Sequence, residues 1–203
     1  MSGTIDARHA EGVRQSPSER DAGLIEDARR GDVDAWSAIV QTLGPRVQGY
    51  ARGKGISDAE DVMQDVFLAA AHGIGTFQGD ESAFRSWIFS IAYRQIANRY
   101  RNPFRNQAEL PPTLVDPDQQ TPDDEIIARE TSSEALAALD VLEDTERDVV
   151  LLRVLADLDT EQVASAVGKE PGNVRVIQSR ALAKVRDELQ SRGYGGESEV
   201  TGP

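Results

Sequence analysis

The stretch LDTEQVASAVGKEPGNVRVIQSRALAKVRDEL, residues 158–189, decides the fold. Asp159 or Thr160 can cap a short helix whose apolar residues are Val163, Ala164 and Val167. Gly168 stands where that helix must stop, and glycine takes a positive φ there without strain. Pro171 suits the first turn of a second helix, because its missing N–H would have had no partner there. In that helix Val174, Ile177, Ala181 and Val185 recur at i, i+3, i+7 and i+11, which is an apolar stripe. Small Ala164 lets the two helices cross closely, and Val174 and Ile177 fill the angle between them. The result is a helix-turn-helix. A helical hairpin with a solvated basic face shares the periodicity. The turn glycine, the small alanine and the two plugs at fixed offsets favour DNA, whose phosphates and base edges the outward Arg, Gln and Ser can reach in a major groove.

The rest of the chain bounds what surrounds that motif. Its 203 residues allow one large domain or two small ones, and 39% hydrophobic with only 5% aromatic content suits a helical fold rather than one large aromatic core. With no cysteine, disulfides and thiolate metal sites are excluded, and His9 and His72 sit in no ligand-like cluster. No apolar run approaches the ~20 residues of a membrane span, and the first twenty residues lack the apolar segment of a signal peptide. A cytoplasmic protein without membrane insertion is expected, with no metal, no cofactor and no catalytic residues: no nucleophile has a plausible base, and no phosphate loop is present. The net charge of −13 is unusual for a DNA-binding chain. Charge must be segregated along the sequence, or the chain works attached to something else.

Taken in order, residues 1–20 are polar without periodicity and read as a disordered tail. Helical patterns then carry Leu24, Ile25 and Ala28, next Ala35, Trp36, Ile39, Val40 and Leu43, and next Val47, Tyr50 and Ala51, with breaks at Gly31-Asp32 and Gly44-Pro45. Ser57 is placed to cap a strong helix over 58–73, with acids in its first turn, where the helix dipole favours them. On that helix Asp61, Gln64, Asp65 and Leu68 share one face, while Val62, Val66 and Ala69 mark the buried side. Periodicity alone favours a solvated acidic face there over a docking face for a basic partner helix. A glycine-rich loop, 73–82, leads to a helix over 83–102 with Phe84, Ile88 and Ile91 inside. Between Ser82 and Ala108 there are five Arg and no acid, interleaved with Trp87, Phe89, Tyr93 and Tyr100. Arg on phosphates and rings on unpaired bases are what single-stranded DNA requires. Part of this helix must also be core.

Residues 103–125 read as an acidic, Pro-rich linker, since prolines at 103, 111, 112, 117 and 122 forbid a long helix. Whether it is a tether or an acidic strand for a basic channel stays open. A second domain, 126–190, begins with a helix over about 126–142. Thr145 is placed to cap the next helix, with a core of Val149, Val150, Leu152, Val154 and Leu155, and the helix-turn-helix follows. Residues 191–203 read as a disordered tail. No strand is convincing and no repeat is visible, so the expected fold is all-α.

Three segments in this order resemble one family: DAEDVMQDVF at 58–67, FRSWIFSIA at 84–92, and LDTEQVASAVG through GNVR at 158–175 followed by SRA at 179–181. They are similar to the extracytoplasmic-function (ECF) sigma factors of bacterial RNA polymerase, over about residues 20–190. The resemblance implies two small helical domains, 21–102 (sigma region 2) and 126–190 (sigma region 4), and a promoter-specificity subunit rather than an enzyme. It implies docking on the clamp helices of the polymerase largest subunit through Asp58, Asp61, Gln64, Asp65 and Leu68, and contact with the flap of the second-largest subunit. It assigns melted, single-stranded −10 DNA to Arg85, Trp87, Tyr93, Arg94, Arg99 and Arg101. It assigns the −35 duplex to Asn173, Arg175, Gln178, Ser179, Arg180 and Lys184. Expression, proteolysis or a separate anti-sigma factor are the modes of regulation it leaves open.

Overall fold

The computed structural model of the chain describes residues 17–101 and 136–193. The readings of residues 1–16, of the linker at 103–125, of the helix start at 126 and of the tail after 193 lie outside them. Among the described residues there are seven α-helices and no strand.

Four helices make the first unit: α1 (Pro17–Arg29), α2 (Val33–Gly53), α3 (Ala59–Gly73) and α4 (Glu81–Arg101), with a 3-10 turn, Ile74–Thr76, between α3 and α4. Helix α1 starts earlier than Asp21, at Pro17, where proline's fixed φ suits a first turn. Gly31 ends it at φ +86°, and Asp32 caps α2 by accepting from the Ala35 N–H at 2.9 Å. The expected break at Gly44-Pro45 does not occur: Pro45 lies inside a continuous α2. Proline there removes one hydrogen bond, but Leu43 and Val47 are buried on either side of it, and that packing carries the helix through. Asp58, rather than Ser57, is the N-cap residue of α3. Val47, Tyr50, Val62, Val66, Ile88 and Phe89 are fully buried between the helices. Of the rings interleaved with the Arg of α4, Phe89 is fully buried on its inward side, with Phe84, Ile88 and Ile91.

The second unit contains α5 (Asp144–Val154), α6 (Thr160–Val167) and α7 (Pro171–Ser191). The cap of α5 is Glu143, not Thr145, and the Glu146 carboxylate accepts from the Glu143 N–H at 3.0 Å. Val149, Val150, Leu151 and Leu152 are buried, whereas Val154, expected in the core, is exposed at the last turn. Asp159 caps α6 in a reciprocal pair with Gln162: the Gln162 N–H donates to Asp159 at 2.8 Å, and the Asp159 N–H donates to the Gln162 side chain at 2.9 Å. Gly168 ends α6 in the left-handed region at φ 67°, Pro171 opens α7, and Val163, Ala164, Val174 and Ala181 are buried where the helices cross. The helix-turn-helix forms as its sequence dictates.

The two units pack on each other, which the sequence did not announce. Helix α2 meets α5, and α4 meets α6. Gly53 makes the first approach possible, because a Cβ there would stand 2.7 Å from a Leu151 methyl. Beside it the Tyr50 hydroxyl donates to the Asp148 carboxylate at 2.8 Å, and the Lys54 ammonium meets the same oxygen at 3.0 Å. Lys54 also donates to the Asp144 carbonyl at 3.2 Å. Lys54 and Asp148 are 6% and 7% exposed, the buried polar residues of this junction. Burial pushes the Asp148 carboxyl upward, while Lys54 and Tyr50 pull it down. The Tyr50 hydroxyl is pushed well above its ordinary range by burial and by the neighbouring Asp148 charge.

Removing Lys54 must leave a buried carboxylate without its cation. Lys54→Met is expected to cost about 3 kcal/mol in urea unfolding near neutral pH. The loss of the ammonium also removes a force that lowers the Asp148 pKa, so in the variant Asp148 takes a proton more readily when folded than when unfolded. The penalty therefore shrinks as pH falls through that raised value. The check is the stability difference between the two proteins measured across that pH range.

Candidate nucleic-acid interface

On α3 the acid face divides. Asp58, Asp61 and Gln64 are exposed, and Leu68, an apolar residue, is 58% exposed beside them. Asp65 turns away from this group: its carboxylate accepts from the Arg99 guanidinium of α4 at 2.6 Å, with the Arg99 side chain only 14% exposed. Asp65 and Arg99, assigned to different partners from sequence, are thus joined to each other as a strut between α3 and α4.

The six candidates on α4 do not form one surface. Trp87, Arg94 and Arg101 are spaced by seven and lie along one stripe. Arg94 and Arg101 are exposed, with Arg94 steadied by a bond from its Nε to the Ser90 carbonyl at 3.0 Å. Trp87 rests on Phe77 and Phe84, with ring centroids at 5.2 and 5.6 Å. Arg85 points elsewhere: it meets Asp157, in the loop between α5 and α6, at 3.6 Å. Tyr93 is half-buried beside the Lys54–Asp148 pair, and its pKa is raised first by burial and then by Asp148. The Tyr100 hydroxyl donates to the Lys54 carbonyl. Along the Trp87 stripe runs an open cleft whose near wall is Phe77, Gln78, Ser86 and Trp87 and whose far wall is Gln162 and Ser165 of α6. Gln162 bridges the two: its amide donates to the Ser82 hydroxyl at 2.9 Å while its oxygen holds the cap of α6. The second unit thus covers part of the α4 face.

The six candidates on α7 fall on two flanks of its buried stripe. Arg175, Gln178 and Ser179 lie on one flank; Asn173, Arg180 and Lys184 lie on the other. Asn173, Arg175, Ser179 and Arg180 are exposed, while Gln178 and Lys184 are half-buried. Arg175 pairs with Glu161 at 3.0 Å, both side chains 63% exposed. Lys184 meets both oxygens of Glu146 of α5, at 2.9 and 2.8 Å, and holds that carboxyl below its ordinary range. Sequence reasoning missed Lys54, Asp148 and the outward half of Gln162. The capping position of Gln162 was legible in D-x-x-Q, but its second bond, to a residue eighty positions away, was not.

No helix among the described residues is long and apolar enough to cross a membrane. The family model for sigma-70 region 2 matches residues 39–103, and that for sigma-70 region 4 matches residues 138–187. The ECF RNA polymerase sigma factor SigD of Mycobacterium tuberculosis is 30% identical over 186 residues, covering 86% of each chain. The ECF RNA polymerase sigma factor BldN of Streptomyces coelicolor is 28% identical over 178 residues, covering 86% of this chain and 67% of BldN. Among solved structures, CnrH in complex with the cytosolic domain of CnrY superposes with a TM-score of 0.62 at 25% identity, covering 84% of this chain and 97% of CnrH. The sigma factor RpoE of Bartonella quintana shares the fold, with a TM-score of 0.58 at 19% identity over 78% of this chain and 98% of that one.

The Lys184–Glu146 pair ties α7 to α5. Because Glu146 is lowered in the folded state, its contribution is present above the unfolded carboxylate pKa and is lost as pH falls through the folded value. Lys184→Met is therefore expected to destabilise the protein by about 1 kcal/mol or less near neutral pH and by close to nothing once pH is well below about 4. Urea unfolding of both proteins at the two pH values checks this.

Proposed function

The chain belongs to the ECF sigma factors, and we propose that it reads a promoter through two faces on separate units while α3 holds it to the polymerase. A sigma factor is the promoter-specificity subunit of RNA polymerase: it binds the core enzyme, recognises the −35 and −10 elements and promotes strand opening. In this reading residues 21–102, extended back to Pro17 by α1, form the docking and strand-opening domain. Residues 103–125 link it to the −35 domain, 126–190.

The observation that carries the assignment of faces is the pairing of a built helix-turn-helix, with exposed Arg175 and Arg180, with a separate stripe of Trp87, Arg94 and Arg101 on α4. Asp58, Asp61, Gln64 and Leu68 meet the clamp helices of the largest subunit, exposed acids and one apolar side chain against a basic surface. The second unit rests on the flap of the second-largest subunit. Trp87 offers a ring to an unstacked −10 base, and Arg94 and Arg101, further along the same stripe, hold phosphates of the strand. At the −35 duplex Arg175, Gln178 and Ser179 face base edges, and Asn173, Arg180 and Lys184 face the backbone.

These two faces cannot work from the packed arrangement. The −35 and −10 elements lie about 25 base pairs apart, roughly 85 Å along the duplex. A single body of 203 residues has a radius of gyration of only about 17 Å. On the promoter, then, the units separate, Lys54 parts from Asp148, and the cleft over Trp87 opens. The role is accessory, with nucleotide addition left to the polymerase, and the place of work is the cytoplasm, where the polymerase and DNA are. The CnrH structure holds the cytosolic domain of another protein, which supports a protein regulator for this chain as well.

Run-off transcription with purified core polymerase over a library of promoter fragments tests this. New start sites sharing two motifs are expected only when the chain is present. Asp61→Lys is expected to abolish them by losing core binding. Arg175→Ala, removing a contact worth about 1–3 kcal/mol, is expected to lower −35 selectivity by about ten-fold or more while core binding stays. Absence of new start sites, with duplex binding by the chain alone, would replace this reading with that of a stand-alone regulator.

A further inference from the structure

Helix α1 lies outside the region matched by the sigma-70 region 2 family model, yet its last residue reaches the loop that shapes the cleft over Trp87. The Arg29 guanidinium donates through Nη2 to the Phe77 carbonyl at 2.8 Å and through Nε to the Ile74 carbonyl at 3.4 Å. Those two carbonyls mark the ends of the single 3-10 turn between α3 and α4, which is closed by the Phe77 N–H on the Ile74 carbonyl at 3.1 Å. A loop this short has no helix ladder for its outward carbonyls, and a planar fork that grips two of them fixes its backbone as an ammonium could not. The arginine is itself held. Glu26, one turn back, pairs with its Nη1. Trp36 of α2 donates from Nε1 to the Ala28 carbonyl at 3.0 Å, which fastens the end of α1.

What the grip positions is on the other side of the chain. The Phe77 ring packs edge-on against Phe84, with centroids at 5.3 Å, and tilts against Trp87. Gln78, the next residue, is exposed and lines the cleft. Gly79 follows at φ +145°, so backbone rigidity must come from elsewhere. The carbonyl that Arg29 holds therefore belongs to the residue that seats Trp87 and precedes Gln78.

We propose that Arg29 is a positioning residue for −10 recognition: it never touches DNA, but it sets the backbone at 74–77 so that Gln78 and Trp87 are presented to the unpaired strand. This rests on the promoter reading above. Without the fork the loop samples other conformations, and the cleft must be ordered anew each time a base enters it, which costs rate and selectivity rather than docking.

The test uses the full chain with core polymerase and a promoter carrying 2-aminopurine in its −10 element, with fluorescence following strand opening at saturating holoenzyme. Arg29→Met keeps the stem and loses the fork. It is expected to bind core within about two-fold of wild type and to retain −35 duplex affinity, yet to open DNA about ten-fold more slowly, through the loss of the fork's charge-assisted contacts. It should also discriminate less among −10 sequence variants. Arg29→Lys, which can serve one carbonyl, should fall between. Opening at the wild-type rate with unchanged −10 preference would overturn the inference. So would a loss of opening that merely tracks a loss of core binding or of thermal stability. If wild type itself opened no promoter, the promoter reading would fail instead.

Discussion

One buried ion pair sets the relation between the two halves of this protein. Lys54 and Asp148 come from opposite units, meet at 3.0 Å out of solvent, and share that carboxylate with the Tyr50 hydroxyl. Such a pair contributes little net stability, because desolvation of both charges offsets their attraction. Its effect is on geometry. Any other register of α2 against α5 would leave a charge buried without a partner, which costs far more than a displaced methyl group. Gly53 permits the close approach, Leu151 fills it, and the charge pair fixes its angle. With α5 placed, α6 has to lie over α4, and the Gln162–Ser82 and Arg85–Asp157 contacts follow at the far end.

The same arrangement explains how a chain of net charge −13 can serve DNA. Several candidate cations are engaged inside the molecule: Arg85 with Asp157, Arg99 with Asp65, Arg175 with Glu161, Lys184 with Glu146. The pairs differ in what they cost to break. Arg175 and Glu161 are both well exposed, so their attraction is screened and a phosphate or base edge can replace the carboxylate at little expense. Arg99 and Asp65 are mostly enclosed, and parting them would strand a charge between α3 and α4. Exposure therefore sorts the basic residues into those that can exchange partners and those that hold the fold.

The helix-turn-helix was legible because its signals are local. An aspartate cap, a glycine at positive φ and a proline at a first turn each act within a few residues, and no distant contact was needed to read them. Helix α4 was legible in the same way through Phe84, Ile88 and Ile91. Errors arose where tertiary packing outweighed a local rule. Pro45 stayed in its helix because buried neighbours held it there. Val154 stayed outside, at the last turn of α5. For the candidate site residues one-dimensional reading has a limit of its own: residue type marks a cation, but only packing says whether it is engaged. Nothing in RGKGIS marks Lys54 as a buried partner of a residue ninety-four positions away.

In the proposed function, two faces clasped together in the free chain part on the promoter. Because the chain has no cysteine, Ser37→Cys and Ala183→Cys, both at exposed positions of α2 and α7, would place one label on each unit. The measurement is the distance between those labels, free in solution and then in the open promoter complex with core polymerase. A short separation in the free chain that lengthens by roughly 40 Å on the promoter is the predicted result. An open complex formed with the short distance unchanged would contradict it.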